Sequence, residues 1–142
     1  MDAAVRSSNP GGALDRETIA LGGVDVALLT GMILVGQRSH GIAPLAEPLA
    51  ALETVIPFLV GWLVMAALAG VYAPGVSSSV TRTARVTTVA WVAAANVGLI
   101  LRASSLFDGG ATGLFPLVIT GFGLLVLGGW RIGYAAYASS RS

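Results

Sequence analysis

The sequence predicts an all-α membrane protein, built as a compact bundle of four transmembrane helices. Hydrophobic residues make up 55% of the 142-residue chain and charged residues only 11%, whereas roughly a quarter of a soluble domain is charged. The mean hydropathy is +0.82, and short linkers rich in turn-forming residues separate four apolar runs. Helices are the expected spanning elements, because lipid offers no partners to the backbone groups of an open sheet edge.

Each predicted span approaches the ~20 apolar residues that cross about 30 Å of hydrocarbon. The spans are residues 18–36, 54–73, 86–102 and 111–130. The polar residues 1–17 are predicted to be a disordered tail, and residues 136–142 a short C-terminal tail. A cleaved signal peptide is not expected, because the first apolar run starts late and contains Asp25.

Spans 1 and 2 differ in their polar content. Span 1 contains Asp25 and repeats small residues every four positions, at Gly23, Ala27 and Gly31. Small residues let helices approach closely in lipid, so this stripe is expected to face the neighbouring helices. Span 2 carries no charge, and Pro57 is expected in its first turn, where a missing N–H costs little.

Spans 3 and 4 also contain small residues that are expected to face neighbouring helices. Span 3 is short, since the 16 residues between its two flanking arginines cover only about 24 Å. Ala90, Ala94 and Gly98 repeat at the small-residue spacing, and the next position on that stripe is Arg102, which is therefore expected to face protein. Span 4 has an early proline, Pro116, followed by several glycines.

The arginines predict the orientation of the bundle. Arg38 and Arg102 lie on one side of the predicted membrane, and six arginines lie on the other. These six are Arg6, Arg16, Arg82, Arg85, Arg131 and Arg141. The positive-inside rule then predicts a plasma-membrane protein with both termini in the cytoplasm. Trp130 and the basic and aromatic residues after it are expected to anchor the inner face.

Polar residues within the spans are candidate binding positions, because an unpaired ionisable group in hydrocarbon is costly. Asp25 could carry a proton, bind a cation or stay protonated. Alternatively, a late start of span 1 at Gly22-Gly23 would make it a first-turn carboxylate at a helix N-terminus. Trp91 is a potential donor to Asp25 at similar depth, and Asn96 is expected to bond with Trp62.

A second polar group gathers at the predicted outer face. Its members are Arg38, Ser39, His40, Glu47, Glu53, Arg102 and Asp108. The arginines are the expected partners of Glu53 and of lipid phosphates. His40 could titrate near neutrality, but a lone histidine is a poor metal-site candidate. Two interpretations of this group remain open, a structural interface and a substrate or ion site.

The sequence predicts no catalytic, metal or cofactor site. The chain has no cysteine, and adjacent Ser39 and His40 rarely give nucleophile–base geometry. No GxSxG motif is present. The net charge of +1 gives no reason to expect nucleic-acid binding.

An internal duplication is an alternative description of the bundle. Span 1 ends in ILVGQRSHG and span 3 in GLILRASS, and each is followed by a loop and a helix with an early proline. Two copies of one helical hairpin would place Arg38 and Arg102 at equivalent outer positions.

Several motifs occur in one order along the chain. They are Asp25, Gly36-x-Arg38-Ser39-His40, Pro57-Phe58-x-x-Gly61-Trp62, TVAWVAAANVGLILRASS over residues 88–105, and Gly129-Trp130-Arg131. From about residue 18 to 135, this pattern resembles the DUF3054 family of small archaeal and actinobacterial membrane proteins. Gln37 departs from it, since many relatives are expected to carry a second arginine there. The resemblance implies a four-helix integral membrane protein and no particular activity.

Together, these features predict a multi-pass membrane protein that is a non-catalytic accessory or assembly subunit of a membrane complex. Membrane lipids, further copies of the chain or other membrane proteins are its expected partners. The alternative is a bundle that binds or transports a small ligand, an ion or a proton. A membrane enzyme that acts on lipids is a third hypothesis. The candidate binding residues are Asp25, Arg38, His40, Glu53, Trp62, Trp91, Asn96 and Arg102.

Overall fold

The chain folds into four helices in the computed structural model, which describes residues 16–41, 43–107 and 113–141. The helices are α1 (Arg16–Ser39), α2 (Pro48–Ala69), α3 (Val80–Ala103) and α4 (Phe115–Arg141), with a 3₁₀ turn at Val76–Ser78 before α3. These ranges contain no strand, and each helix is long and apolar enough to span a membrane. The predicted all-α, four-helix membrane fold is therefore confirmed. The predicted N-terminal tail lies, up to residue 15, outside the described residues.

The four helices form a closed ring in chain order. Each helix packs against the next one, the α2–α3 contact is the most extensive, and α4 closes the ring against α1. We call the end of the bundle that holds the α2–α3 turn the inner end, and the opposite end the outer end. Because the connections are short, successive helices run in alternating directions.

The interface between α2 and α3 depends on two glycines. A Cβ added at Gly61 would lie 2.5 Å from the backbone oxygen of Ala94, and one added at Gly98 would overlap the ring of Phe58. Close approach at small residues is the expected way to join helices in lipid. The predicted α3 stripe of Ala90, Ala94 and Gly98 is buried accordingly.

Trp91 fixes α3 against α4. A Cβ at Gly123 of α4 would overlap the indole ring of Trp91, and the indole N–H donates to the backbone oxygen of Thr120 at 2.9 Å. Trp91 also packs against Phe58, with ring centroids 6.5 Å apart. The prediction that Trp91 donates to Asp25 is therefore wrong, since its N–H is directed to the α4 backbone.

The boundaries of α1 and α2 differ from the sequence prediction. Since α1 is helical from Arg16, Asp25 lies in the third turn, and the first-turn interpretation is wrong. α2 begins at Pro48 and ends just before Gly70, whose φ of 84° gives it the left-handed conformation typical of a C-cap. Pro57 consequently lies inside α2, rather than in its first turn.

α4 continues beyond the predicted end of span 4 at Trp130 and runs to Arg141, through the predicted C-terminal tail. A π-helical turn interrupts it at Leu124–Gly128. The buried positions along α4 recur every four residues: Ile119, Gly123, Leu127, Arg131 and Ala135. In a regular α-helix these five positions would drift by about 160° around the axis. The wider π turn takes up part of this drift, so Arg131 lies on the same face as Gly123.

The α1 stripe of Gly23, Ala27 and Gly31 lies on the outer surface of the bundle. All three residues are exposed, and a Cβ added at either glycine would meet no atom within 4 Å. The expectation that this stripe packs inside the bundle is wrong. α1 instead turns its opposite face inward, because Asp25 and Leu29 are the residues that it buries.

Candidate functional site

The deepest polar site joins the first helix to the last. Asp25 of α1 is 0% exposed and Arg131 of α4 is 1% exposed, and the two form an ion pair. Arg131 Nε donates to Asp25 Oδ1 at 3.0 Å, and Arg131 Nη2 donates to Oδ2. This two-point contact is the geometry in which a guanidinium binds a carboxylate most strongly. The pair is therefore a neutral unit buried near the inner end of the bundle.

Aromatic side chains complete the coordination of Asp25. The Tyr72 hydroxyl, from the α2–α3 turn, donates to Oδ2 at 2.5 Å. The Trp130 indole N–H donates to Oδ1 at 2.9 Å. Trp62 of α2 donates its indole N–H to the Tyr72 hydroxyl at 3.1 Å. We call Asp25, Arg131, Tyr72, Trp130 and Trp62 the inner polar cluster.

The inner polar cluster leaves the Asp25 carboxylate no free acceptor position. Each of its oxygens accepts two hydrogen bonds, which accounts for the four or so lone-pair sites of a carboxylate. Within the described part of the chain, Arg131 Nη1 is the atom of the pair that has no hydrogen-bond partner. To bind a cation or a substrate, Asp25 would first have to lose one of its present donors.

Tyr72 is held in its neutral form. Its burial raises the pKa of the phenol well above the ordinary value, and the neighbouring negative charge of Asp25 raises it further. A neutral hydroxyl can accept from Trp62 and donate to Asp25 at the same time. The guanidinium carbon of Arg131 lies 4.9 Å from the Tyr72 ring centroid, so the phenol also contacts the cation of the pair.

A second network, the outer polar cluster, joins α1, α2 and α3 at the opposite end. Gln37 and Thr54 both donate to the backbone oxygen of Ala50, at 3.4 and 3.3 Å. Arg102 Nη1 donates to the Thr54 hydroxyl at 2.8 Å, and its guanidinium carbon lies 4.8 Å from the Phe115 ring centroid. Arg102 thus faces protein, as its place on the α3 stripe predicts.

The remaining outer candidates do not join this network through a hydrogen bond or ion pair among the described residues. Arg38 and His40 are exposed. Glu53 is half-buried and interacts electrostatically with Arg102, although the hydrogen bond of Arg102 goes to Thr54. Asp108, predicted for the same group, lies outside the described residues. The structure therefore brings Arg102 to Thr54, and not Arg38 or His40 to a common site.

The predicted bond between Asn96 and Trp62 is wrong. Asn96 is exposed and donates to the backbone oxygen of Val92 at 2.7 Å, one turn earlier on its own helix. The Trp62 N–H is directed to Tyr72 instead. The two side chains therefore belong to different environments.

Sequence reasoning missed Arg131, Trp130 and Tyr72 as partners of Asp25. Arg131 follows Trp130 at the predicted membrane boundary, where a basic residue is typical of an interfacial anchor. The repeat of small or apolar positions at Ile119, Gly123 and Leu127 was the available signal, because its next step is Arg131. Tyr72 lay at the predicted end of span 2, and nothing in the sequence distinguishes it from an interfacial tyrosine.

A family model described as a protein of unknown function, DUF3054, matches residues 23–134, which confirms the resemblance drawn from the order of the motifs. No curated protein matches the chain, and no solved structure matches it. The matched residues include the whole inner polar cluster.

Proposed function

The chain belongs to the DUF3054 family of proteins of unknown function, and we propose that it is a non-catalytic accessory or assembly subunit of a larger membrane complex. In this role the bundle presents one helix face to a transmembrane helix of another protein. The chemistry of the inner polar cluster supports a structural rather than a catalytic use, because every acceptor position of Asp25 is occupied by a donor from the chain itself.

The observation that carries the proposal is the α1 stripe of Gly23, Ala27 and Gly31. A helix that faces only lipid gains nothing from small residues, whereas glycine and alanine at four-residue spacing let a second helix approach closely. No part of the described chain covers the stripe at its glycines. The bundle buries 22% of the most apolar stretch of α1 and 22% of that of α4, against 44% for α2. α1 and α4 therefore have the most surface left for a partner.

The surroundings of the stripe indicate the chemistry of the partner. The large exposed side chains near it, Ile19, Val24 and Val35, are apolar. A water-soluble partner would leave these side chains in lipid and could not approach the stripe inside the bilayer. The fitting partner is therefore an apolar transmembrane helix that crosses α1 at close range.

Native mass spectrometry of the full chain, extracted gently from its own membranes, tests this proposal. Ala27→Leu places a bulky side chain on the stripe, and Ala67→Leu makes the same change at an exposed position of α2. We expect the wild-type chain and Ala67→Leu to retain a stoichiometric second protein that Ala27→Leu loses. A chain that runs alone in all three samples, or a partner indifferent to Ala27→Leu, would contradict the proposal. Retention of a second copy would replace it with self-association.

We also propose that the inner end faces the cytoplasm, in the plasma membrane. Arg16, Arg82, Arg85 and Arg141 are exposed at the inner end, whereas Arg38 is the exposed arginine of the described outer end. Arg131 no longer contributes to this asymmetry, because it is buried against Asp25. A reporter that works only in the cytoplasm should be active when it is fused after Ser142. Activity of a reporter that works only after export would show the opposite orientation.

A second candidate function, the binding of a small ligand, has one specific observation in its favour, an inner cavity beside Tyr72. Transport across a single bundle has less support. The inner and outer polar clusters are separated by an apolar core that includes Leu29, Ile33, Phe58 and Trp91.

A further inference from the structure

A cavity of about 280 Å³ opens at the inner end of the bundle. It is bounded by the start of α1, by the α2–α3 turn from Val71 to Ser78 and by Ala138 of α4. It is slightly smaller than the pockets of about 300–1,000 Å³ that hold drug-sized ligands. Packing of the inner polar cluster does not use this space, because Tyr72 lines the cavity while its hydroxyl is directed to Asp25.

The charge of the cavity lining favours a cation. Among the described residues that line it, Glu17 is the charged one, and none is an arginine. The Asp25–Arg131 pair behind Tyr72 is neutral as a unit. The exposed arginines of the inner end lie outside the lining, and Arg141, for example, is placed over the ring of Tyr137. An anionic ligand would therefore meet a carboxylate without an opposing charge.

Two hydrogen-bonding groups of the lining, Glu17 and Ser78, suit an amine. Glu17 is oriented by the Tyr134 hydroxyl, which donates to Oε2 at 2.9 Å, so that Oε1 is an acceptor that no hydrogen bond among the described residues uses. The Ser78 hydroxyl donates its proton to the backbone oxygen of Gly75 at 2.7 Å, so it too can offer only lone pairs to a ligand. Acceptors of this kind match the donors of an ammonium group.

The rest of the lining sets the size of the ligand body. Leu21, Val71, Pro74 and Ala138 contribute hydrocarbon to the walls, which favours a short carbon chain behind the polar group. We propose that the inner cavity binds a small organic cation with a protonated amine, paired with Glu17. This site is independent of the proposed α1 interface, which lies on another face of the bundle.

Three probes of nearly equal size and different charge test the proposal: ethanolamine, ethylene glycol and glycolate. Binding of each radiolabelled probe to the full chain is measured by equilibrium dialysis in phosphatidylcholine nanodiscs, at constant ionic strength. We expect saturable binding of ethanolamine and none of glycolate. Glu17→Gln should weaken ethanolamine binding by about tenfold or more, as for loss of one charge-assisted hydrogen bond. Glu47→Gln, an exposed acid at the outer end, should leave it unchanged.

Ala138→Leu provides a variant that fills the cavity and retains Glu17. It should abolish ethanolamine binding while leaving the thermal unfolding temperature close to that of the wild-type chain. The proposal is overturned if ethanolamine does not bind, if glycolate binds equally well, or if Glu17→Gln binds ethanolamine like the wild-type chain. None of these results changes what native mass spectrometry of the α1 variants should show. Each proposal can therefore fail without the other.

Discussion

Arg131 determines what Asp25 can do in the membrane. Without a partner, a carboxylate in the third turn of a spanning helix would have to be protonated or would attract a cation from water. With Arg131, Tyr72 and Trp130 as donors, the same carboxylate joins α1 to α4 and to the α2–α3 turn. Its role is therefore set by residues far away in the chain, and not by its immediate sequence.

Removal of one member of the pair should be far more harmful than removal of both. Arg131→Met leaves Asp25 buried with an uncompensated charge, and we expect it to lower the free energy of unfolding by about 3–5 kcal/mol. The double variant Asp25→Leu/Arg131→Met should recover most of this loss. The measurement is unfolding in mixed micelles, with Arg85→Met, an exposed arginine of α3, as the control. Equal stability of Arg131→Met and Arg85→Met would contradict the ion-pair role.

The place of Asp25 in the first spanning helix could be predicted from the sequence, but its partner could not. Asp25 lies within the first apolar run of the sequence, and the structure places it in the third turn of α1. The partner depends on how far α4 extends and how it turns, and the π turn at Leu124–Gly128 changes that rotation by a fraction of a turn. The position of Arg131 beside Trp130 at the predicted membrane boundary indicates an interfacial anchor, although Arg131 also continues the four-residue repeat of Ile119, Gly123 and Leu127.

Tyr72 should make stability depend on alkaline pH. Its folded-state pKa is raised above the ordinary value of about 10, so the folded chain favours the protonated phenol more than the unfolded chain does. The resulting stabilisation is complete below pH 10 and is lost as the pH rises towards the folded-state pKa. We expect Tyr72→Phe to reduce the fall in unfolding temperature between pH 9 and 11, whereas Tyr137→Phe, at an exposed position, should not.

At the scale of elements, the α2–α3 pair and α4 use different means to fit their neighbours. α2 and α3 approach closely because Gly61 and Gly98 have no side chains, a feature that small-residue spacing predicts. In α4, a π turn rotates the second half of the helix so that its buried face meets the neighbouring helices. No residue type predicts such a turn. The exposed α1 stripe shows that small-residue spacing identifies a helix face suited to close packing, but does not identify the helix that packs against it.

The π turn should tolerate a deletion that a regular helix does not. It holds one residue more than an α-helical path would need, so deletion of Leu125, which is 72% exposed, should restore regular α4 and keep Arg131 directed to Asp25. Deletion of Val92 from the regular helix α3 should rotate everything that follows by about 100°. We expect near-normal folded yield and unfolding temperature for the first variant only. Equal loss in both would contradict this account.

In the bundle formed by the described residues, two polar clusters occupy opposite ends and an apolar core lies between them. The core includes Leu29, Ile33, Phe58 and Trp91, and Gly61 and Gly98 bring α2 and α3 into direct contact at its centre. A proton or ion that crossed one bundle would have to leave polar partners for this apolar region, where an unpaired charge is costly.

A single bundle should therefore not conduct. Liposomes that contain the purified chain at less than one copy per vesicle, loaded with a pH-sensitive dye, should dissipate an imposed pH gradient no faster than empty liposomes. Gramicidin-treated liposomes serve as the positive control for the dye. Flux above the empty-vesicle rate, lost in Arg131→Met, would instead favour proton transport through the inner polar cluster.

The Asp25–Arg131 pair also has a consequence for biosynthesis. Its members are 106 positions apart, so a ribosome that adds about 5–20 residues per second needs about 5–20 s to deliver the second after the first. During that interval Asp25 has no counter-ion in the chain, so it enters the bilayer protonated or with a cation from water. The ion pair between the first helix and the last can therefore form only after α4 has been made.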